Sequence, residues 1–112
     1  MSHDLNKKTV LVTGGARRLG REISLHFAGR GAKTLVHYNS SEKEAEELLT
    51  IARREGLSIK TFCADFRENE RVVEMFKKIR EEHKTLDVLI CNAGVYFEKP
   101  FNKTSLTELE EL

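Results

Sequence analysis

The sequence TGGARRLG, residues 13–20, follows directly on the apolar run Thr9–Thr13 and leads into a segment with helical spacing. Glycines between a strand and a helix leave backbone N–H groups near the positive end of the helix dipole, which attracts anions. Gly14 permits a tight turn, and Gly20 allows the helix to approach the strand closely. The stretch therefore predicts a phosphate-binding turn in which Arg18 stands where such loops often carry their middle glycine.

Three further apolar runs follow along the chain, and amphipathic segments separate them. The runs are Thr34–Tyr38, Ile59–Cys63 and Asp87–Cys91, each of the length expected for a buried strand. The intervening segments have apolar residues at helical spacing. The residues that mark these helical faces are Leu19, Ile23 and Phe27, then Ala45, Leu48, Leu49 and Ala52, then Val72, Val73, Phe76, Ile79 and His83.

The order of the elements predicts the fold class. Ser41-x-x-Glu44 forms a capping-box pattern at the start of the second helix, Gly56 ends that helix, and a last helix is expected from Ser105. Strands that alternate with helices favour β-α-β units and a parallel sheet with right-handed crossovers. We expect one α/β domain over residues 1–112, half of a doubly wound Rossmann fold, with a parallel sheet in the order 3-2-1-4 and helices on both faces.

The composition excludes several classes of protein. The net charge of +1, from 19 basic and 18 acidic residues, gives no reason to expect binding to nucleic acid or to anionic membranes. No apolar run approaches the ~18 residues of a membrane span, and residues 1–8 lack the core of a signal peptide, so we expect a cytoplasmic protein. No metal site is predicted. Cys63 and Cys91 end strands expected to lie on the order of 14 Å apart, so both should be free thiols.

Three motifs stand at the carboxyl ends of predicted strands: residues 13–20, Asp65 after the third strand, and Asn92-Ala93-Gly94 after the fourth. In this order they resemble the short-chain dehydrogenase/reductase family, and the resemblance covers essentially the whole chain. Arg18, together with the stretch 37–41, is similar to the branch that contains the pteridine reductases, and some 3-oxoacyl-acyl-carrier-protein and sugar reductases look similar. The resemblance implies an oxidoreductase that, when complete, reduces a carbonyl or an imine.

The end of the second strand discriminates between the two nicotinamide cofactors. A site for NAD usually places Asp or Glu there to bind the ribose 2′-OH, whereas this sequence reads His37-Tyr38-Asn39-Ser40 and has no carboxylate before Glu42. Arg17 can supply positive charge, Ser40 and Ser41 can donate hydrogen bonds, and the start of the second helix again favours an anion. We therefore predict NADP(H) as the cofactor.

The resemblance also implies roles for individual residues. Asp65 would accept from the adenine amino group, Asn92-Ala93-Gly94 would form a wall beside the adenine ribose, and Arg18 would reach toward the pyrophosphate. Structural alternatives stay open: a helix N-cap for Asp65, a strand-end amide for Asn92 and a surface helix residue for Arg18. The residues predicted to bind the cofactor are Gly14, Arg17, Arg18, Leu19, Gly20, His37, Asn39, Ser40, Ser41, Asp65, Phe66, Asn92, Ala93 and Gly94.

No catalytic residue is predicted within the 112 residues. The family transfers hydride with a Tyr-x-x-x-Lys pair and a preceding serine, in which the tyrosine is the acid/base. Here Tyr38 is followed at the fourth position by Glu42 and Tyr96 by Pro100, so neither makes the pair. We expect no turnover from this chain alone. It can be the cofactor-binding portion of a reductase, one half of a two-chain reductase, or a non-catalytic NADP(H)-binding regulatory module.

The fourth strand is expected to be an edge. Residues 87–91 are apolar and carry neither proline nor lysine, so the edge is open to pairing with another chain. We expect a homodimer, formed by two such edges or by the helix from Ser105.

Overall fold

A computed structural model describes residues 5–92 of the chain. It contains a four-stranded parallel sheet in the order β3-β2-β1-β4, with three helices in the connections. The elements are β1 (Thr9–Thr13), α1 (Arg18–Gly29), β2 (Lys33–Tyr38), α2 (Glu42–Glu55), β3 (Ile59–Cys63), α3 (Asn69–Glu82) and β4 (Val88–Cys91). The predicted half of a doubly wound fold is confirmed, as is the strand order. Pro100 and the helix expected from Ser105 lie outside the described residues.

The sheet is covered on both faces, and β1 and β2 are buried along their lengths except at the two ends of β2. Successive side chains of a strand point to opposite faces, so Leu11 and Leu35 pack with Met75 on the α3 side. On the other side, Val36 packs with Leu48 of α2. All five residues of β1 are buried, as expected of a central strand in a parallel sheet. The turn that follows β1 is therefore anchored to the most buried strand of the molecule.

The helical faces differ from the predicted ones at two positions. Leu19 is 66% exposed, because the residues of α1 that face the sheet are the small Gly20, Ser24 and Ala28. In α3, Val73 is 65% exposed, whereas Met75 is buried four residues before Ile79. Apolar spacing placed the helices correctly but did not identify which apolar side chains face solvent.

The cysteines and the sheet edges follow the predicted topology. Cys63 ends β3 and Cys91 ends β4, the two outer strands of the sheet, and both are free and exposed. Leu89 is 48% exposed on β4, which within the described part of the chain pairs with β1 alone. In that same part, no helix is long and apolar enough to cross a membrane.

Candidate cofactor site

A cavity of about 450 Å³ opens at the carboxyl ends of β1, β2 and β4. β1 lies between β2 and β4, so this is the point at which the strand order reverses, where open α/β sheets bind ligands. Arginine, hydroxyl and amide groups dominate the lining. The lining residues are Gly14, Ala16, Arg17, Arg18, Leu19, His37, Tyr38, Asn39, Ser40, Ser41 and Asn92.

The two glycines predicted to shape the turn do so in the structure. Gly14 has a φ of +63°, a left-handed conformation that glycine adopts without steric cost. A Cβ on Gly20 would overlap the carbonyl oxygen of Gly14 and stand 2.6 Å from Nδ2 of Asn92. Close approach of α1 to the end of β1 therefore requires a glycine at position 20.

The N–H groups of the two turn glycines do not face the cavity as free donors, contrary to the simplest interpretation of a glycine-rich turn. Gly14 N–H donates to Nδ1 of His37 at 3.1 Å, and Gly15 N–H donates to the His37 carbonyl at 3.0 Å. Their carbonyls also have partners inside the protein. Asn92 Nδ2 donates to Gly14 O at 3.1 Å, and the buried Ser24 hydroxyl donates to Gly15 O at 3.1 Å.

The donors left for an anion are at the start of α1. Arg17 is the N-cap residue and makes no side-chain capping hydrogen bond, and the first N–H groups of any α-helix lack a partner within the helix. The side chains of Arg17, Arg18 and Leu19 are exposed and line the cavity. Arg18, which stands where glycine-rich turns often carry their middle glycine, has a φ of +53°. The backbone thus keeps the conformation that a glycine would favour at this position.

The end of β2 contributes polar groups without a carboxylate. Asn39, Ser40 and Ser41 line the cavity, and no Asp or Glu is found among its described lining residues. Ser41 is the N-cap of α2, as predicted, but its hydroxyl makes no capping hydrogen bond, so the predicted capping box is wrong. Its backbone, with φ −87° and ψ 54°, is outside the extended conformation typical of a capping serine.

Asn92 connects the ends of β4 and β1. Its backbone N–H donates to Oγ1 of Thr13 at 2.9 Å, and its side-chain amide holds Gly14 O. The amide thus has a structural role in fixing the turn, while the residue also lines the cavity. Ala93 and Gly94, predicted to bind with it, lie outside the described residues.

Asp65 and Phe66 lie after β3 and do not line the cavity. The Asp65 carboxylate accepts from the Arg67 guanidinium at 3.1 and 2.9 Å and from Arg67 N–H at 3.0 Å. These side-chain hydrogen bonds, and then the backbone one, hold the pKa of Asp65 below its usual value. Phe66 stacks on the His37 ring with centroids 3.9 Å apart. Phe66 therefore contributes to the site through His37.

Three contributors to the site were missed by the sequence analysis. Ala16 and Tyr38 line the cavity, and Ser24 holds the carbonyls of Gly15 and Gly20 from a fully buried position. A serine in the middle of an apolar helical stripe is the signal that could have identified Ser24. Across residues 5–92, no group of three or more His, Cys, Asp or Glu residues could hold a metal ion.

Comparison with known proteins identifies the fold and its relatives. The sequence model for short chain dehydrogenases matches residues 8–112. A trihydroxynaphthalene reductase from Colletotrichum orbiculare is 33% identical over 94 residues, which are 84% of this chain and 33% of that protein. The short-chain dehydrogenase/reductase homolog YusS from Bacillus subtilis is 36% identical over 88 residues, 79% of this chain and 81% of YusS.

A solved structure shows the same architecture around a bound cofactor. The short chain dehydrogenase from Burkholderia cenocepacia J2315, crystallised in complex with NADP, superposes with a TM-score of 0.76 at 26% identity. The match covers 97% of this chain and 44% of that one. The chain thus spans about a third of the fungal reductase and less than half of the bacterial dehydrogenase.

Proposed function

The chain belongs to the short-chain dehydrogenase family, and from that premise we propose that it binds NADP(H) and forms the cofactor-binding portion of a reductase. One observation carries the proposal. The cavity at the strand-order reversal is lined by two arginines, two serines and two asparagines, with no carboxylate among its described residues. A cofactor with an extra phosphate suits this lining, because arginine and hydroxyl groups bind phosphate and a carboxylate would repel it.

The residues fit the two ends of such a cofactor differently. The open start of α1 and the side chains of Arg17 and Arg18 would hold the pyrophosphate. The ribose 2′-phosphate would lie by Asn39, Ser40 and Ser41, at the amino end of α2. Because the Gly14 and Gly15 N–H groups are already bonded to His37, we assign the anion to N–H groups beyond these glycines. Adenine would lie near Asp65. The Asp65 carboxylate would then accept a hydrogen bond from the adenine amino group in addition to those from Arg67.

A bound NADPH would supply a hydride to a carbonyl or imine, and this chain's residues would bind and orient the nucleotide end of the cofactor. The Tyr-x-x-x-Lys pair does not occur in the sequence, so we propose that the catalytic acid comes from polypeptide outside these residues. The purified chain should then bind NADPH without oxidising it in the presence of carbonyl substrates. Steady oxidation that persists after repurification would refute this.

The branch of the family is a finer proposal. Arg18 and the stretch 37–41 support a pteridine-reductase-like or 3-oxoacyl-acyl-carrier-protein-reductase-like origin. The similarity to a trihydroxynaphthalene reductase makes hydroxylated naphthalenes the competing substrate class.

Self-association and location complete the proposal. We expect a homodimer through the outer edge of β4, where the exposed Leu89 offers an apolar surface. Sedimentation at rising concentration tests this, and a monomer throughout would refute it. A cytoplasmic location is expected for an NADP(H)-dependent chain with two free cysteines.

The cofactor is tested with a charge introduced at the end of β2. Asn39→Asp places there the carboxylate that sites for NAD carry. We expect NADPH to bind about tenfold more weakly or worse, the effect of one like-charge contact near a protein surface, and NADH to gain. Asn69→Asp adds the same charge at the start of α3, away from the cavity, and should change neither affinity. Equal binding of NADPH and NADH by the unmodified chain would contradict the proposal.

A further inference from the structure

His37 lies at the centre of the contacts that shape the turn. The residue is 2% exposed, and its ring contacts the residues that follow β1 and β3. Nδ1 accepts from Gly14 N–H at 3.1 Å, Nε2 lies 2.7 Å from the Ala64 carbonyl oxygen, and Phe66 stacks on the ring. The carbonyl of the same residue accepts Gly15 N–H. A single residue of β2 therefore holds both N–H groups of the turn glycines.

The geometry fixes the ring in one neutral form. A backbone N–H can only donate, so Nδ1 must be an acceptor and carry no proton. A carbonyl oxygen can only accept, so Nε2 must carry the proton. The neutral Nε2–H tautomer is therefore the form that satisfies both contacts, and a protonated ring would place two N–H donors against each other at Gly14.

We propose that His37 is a positioning residue for the cofactor: its neutral ring holds Gly14 in place, and protonation releases the turn and weakens cofactor binding. The inference rests on the proposed function, since it concerns regulation of the same site. The cofactor would not touch the Gly14 N–H. The ring fixes the backbone conformation of the turn between β1 and α1, and that conformation sets the position of the donors of Arg17 and Arg18.

The surroundings of the ring favour the neutral form. Burial lowers the pKa of His37 below its usual value near 6.5, and the hydrogen bond to the Ala64 carbonyl offsets only part of that effect. The Gly14 N–H acts in the same direction as burial. The charged and titratable groups on the surrounding elements are Arg17 and Arg18 on the turn, Tyr38 and Glu42 at the end of β2 and start of α2, Cys63 at the end of β3, and the Asp65–Arg67 pair after it.

Most of these groups do not compensate a charge on the ring. The arginines of the turn disfavour a second cation beside them, and Asp65 is already paired with Arg67. Burial raises the pKa of Tyr38, so its hydroxyl stays neutral. The ring thus changes charge below pH 6.5, and Glu42 at the start of α2 is the remaining carboxylate among these groups.

Two substitutions separate the contacts of the ring. His37→Asn keeps an acceptor near the Nδ1 position and loses the donor to Ala64. His37→Gln keeps a donor that reaches toward Ala64 and loses the acceptor for Gly14. If the ring positions the turn, the Gln variant should bind NADP⁺ roughly tenfold more weakly, the ratio that one or two hydrogen bonds provide, and the Asn variant should bind nearly as the unmodified chain does.

The pH dependence provides a readout that a purely structural role would not give. The dissociation constant of NADP⁺ should rise more steeply between pH 7.5 and 5.5 for the unmodified chain than for His37→Asn. The 2′-phosphate of the cofactor itself titrates near pH 6, but it does so equally with both proteins. The ratio of the two dissociation constants therefore reports the titration of the His37 ring alone. His26→Asn, which removes an exposed histidine of α1, should keep the unmodified pH profile.

Nitrogen NMR of the unmodified chain tests the same contact without a cofactor. The ring should show the Nε2–H tautomer, and the Gly14 amide resonance should move with the titration of His37. An Nδ1–H tautomer, or parallel pH profiles for the unmodified and Asn proteins, would overturn the inference. A chain that does not bind NADP⁺ at all would overturn the proposed function instead, and the NMR result would still decide the role of the ring in the turn.

Discussion

Gly20→Ala tests directly whether α1 packs as closely against the end of β1 as the structure shows. The added Cβ would overlap Gly14 O and lie 2.6 Å from Asn92 Nδ2 and 2.9 Å from the Gly14 carbonyl carbon. Carbon contacts are optimal near 3.5–4.0 Å, so the helix would have to retreat by about 1 Å. Overpacking of this kind costs about 1–3 kcal/mol, against about 1 kcal/mol gained from the higher helix propensity of alanine. We expect net destabilisation of up to ~2 kcal/mol.

The matched control lies on the same helix. A Cβ on Gly29 would meet no atom within 4 Å, so Gly29→Ala should stabilise the chain by about 0.5–1 kcal/mol through backbone entropy alone. Urea denaturation monitored by circular dichroism measures both variants, and their midpoints should move in opposite directions. If Gly20→Ala unfolds at the same or a higher urea concentration than Gly29→Ala, the inferred close approach of α1 to Gly14 is wrong.

Three further predictions concern the turn and the sheet. Arg18→Gly should raise the thermal midpoint slightly, since the about 1–2 kcal/mol that a side chain costs at a φ of +53° exceeds the about 0.5–1 kcal/mol of backbone entropy that glycine loses on folding. A lower midpoint would count against strain at Arg18. The free energy of unfolding should fall as the pH drops below 6.5, because the pKa of His37 is lowered in the folded state and the unfolded chain therefore binds more protons in that window. Urea titrations at pH 7.5 and 5.5 should show a larger fall in this free energy for the unmodified chain than for His37→Gln. Asp87→Ala should cost about 1–2 kcal/mol, because Asp87 Oδ2 accepts Thr9 N–H at 2.8 Å, whereas Asp87→Asn, which keeps an acceptor, should cost less by the same urea assay.

The strands were predictable because their burial dictates their composition. β1 and β3 have the bounds expected from their apolar runs, and the order 3-2-1-4 follows from general rules of connection. The helical faces were less predictable, because the apolar side chain of Leu19 faces the cavity while the small Gly20 faces the sheet. Spacing alone does not distinguish an apolar side chain that lines a cavity from one that packs in the core.

The sequence indicated several of the residues that line one cavity, but not the hydrogen bonds among them. The turn, the polar end of β2 and Asn92 all line one cavity, as their places at strand ends suggested. The hydrogen bond between Gly14 and His37 joins residues 23 positions apart, and no local sequence pattern predicts it. The contact of Asp65, in contrast, is local. Its carboxylate, which the family resemblance assigns to adenine, accepts hydrogen bonds from Arg67, two positions along the chain.

The hydrogen bonds of the two turn glycines indicate why this site depends on the whole sheet. All four of their backbone polar groups have partners within the protein, supplied by His37 of β2, Asn92 after β4 and Ser24 of α1. The two glycines therefore form a framework that contacts from β2, from the end of β4 and from α1 hold in place. The N–H groups that remain for an anion lie at the start of α1. Because the framework needs β2 and β4 in register with β1, cofactor binding should stabilise the entire sheet, through binding to the folded state alone. Addition of NADP⁺ should then slow amide exchange in β2 and β4 as well as in the turn, and protection confined to the turn would show that the three supports are independent.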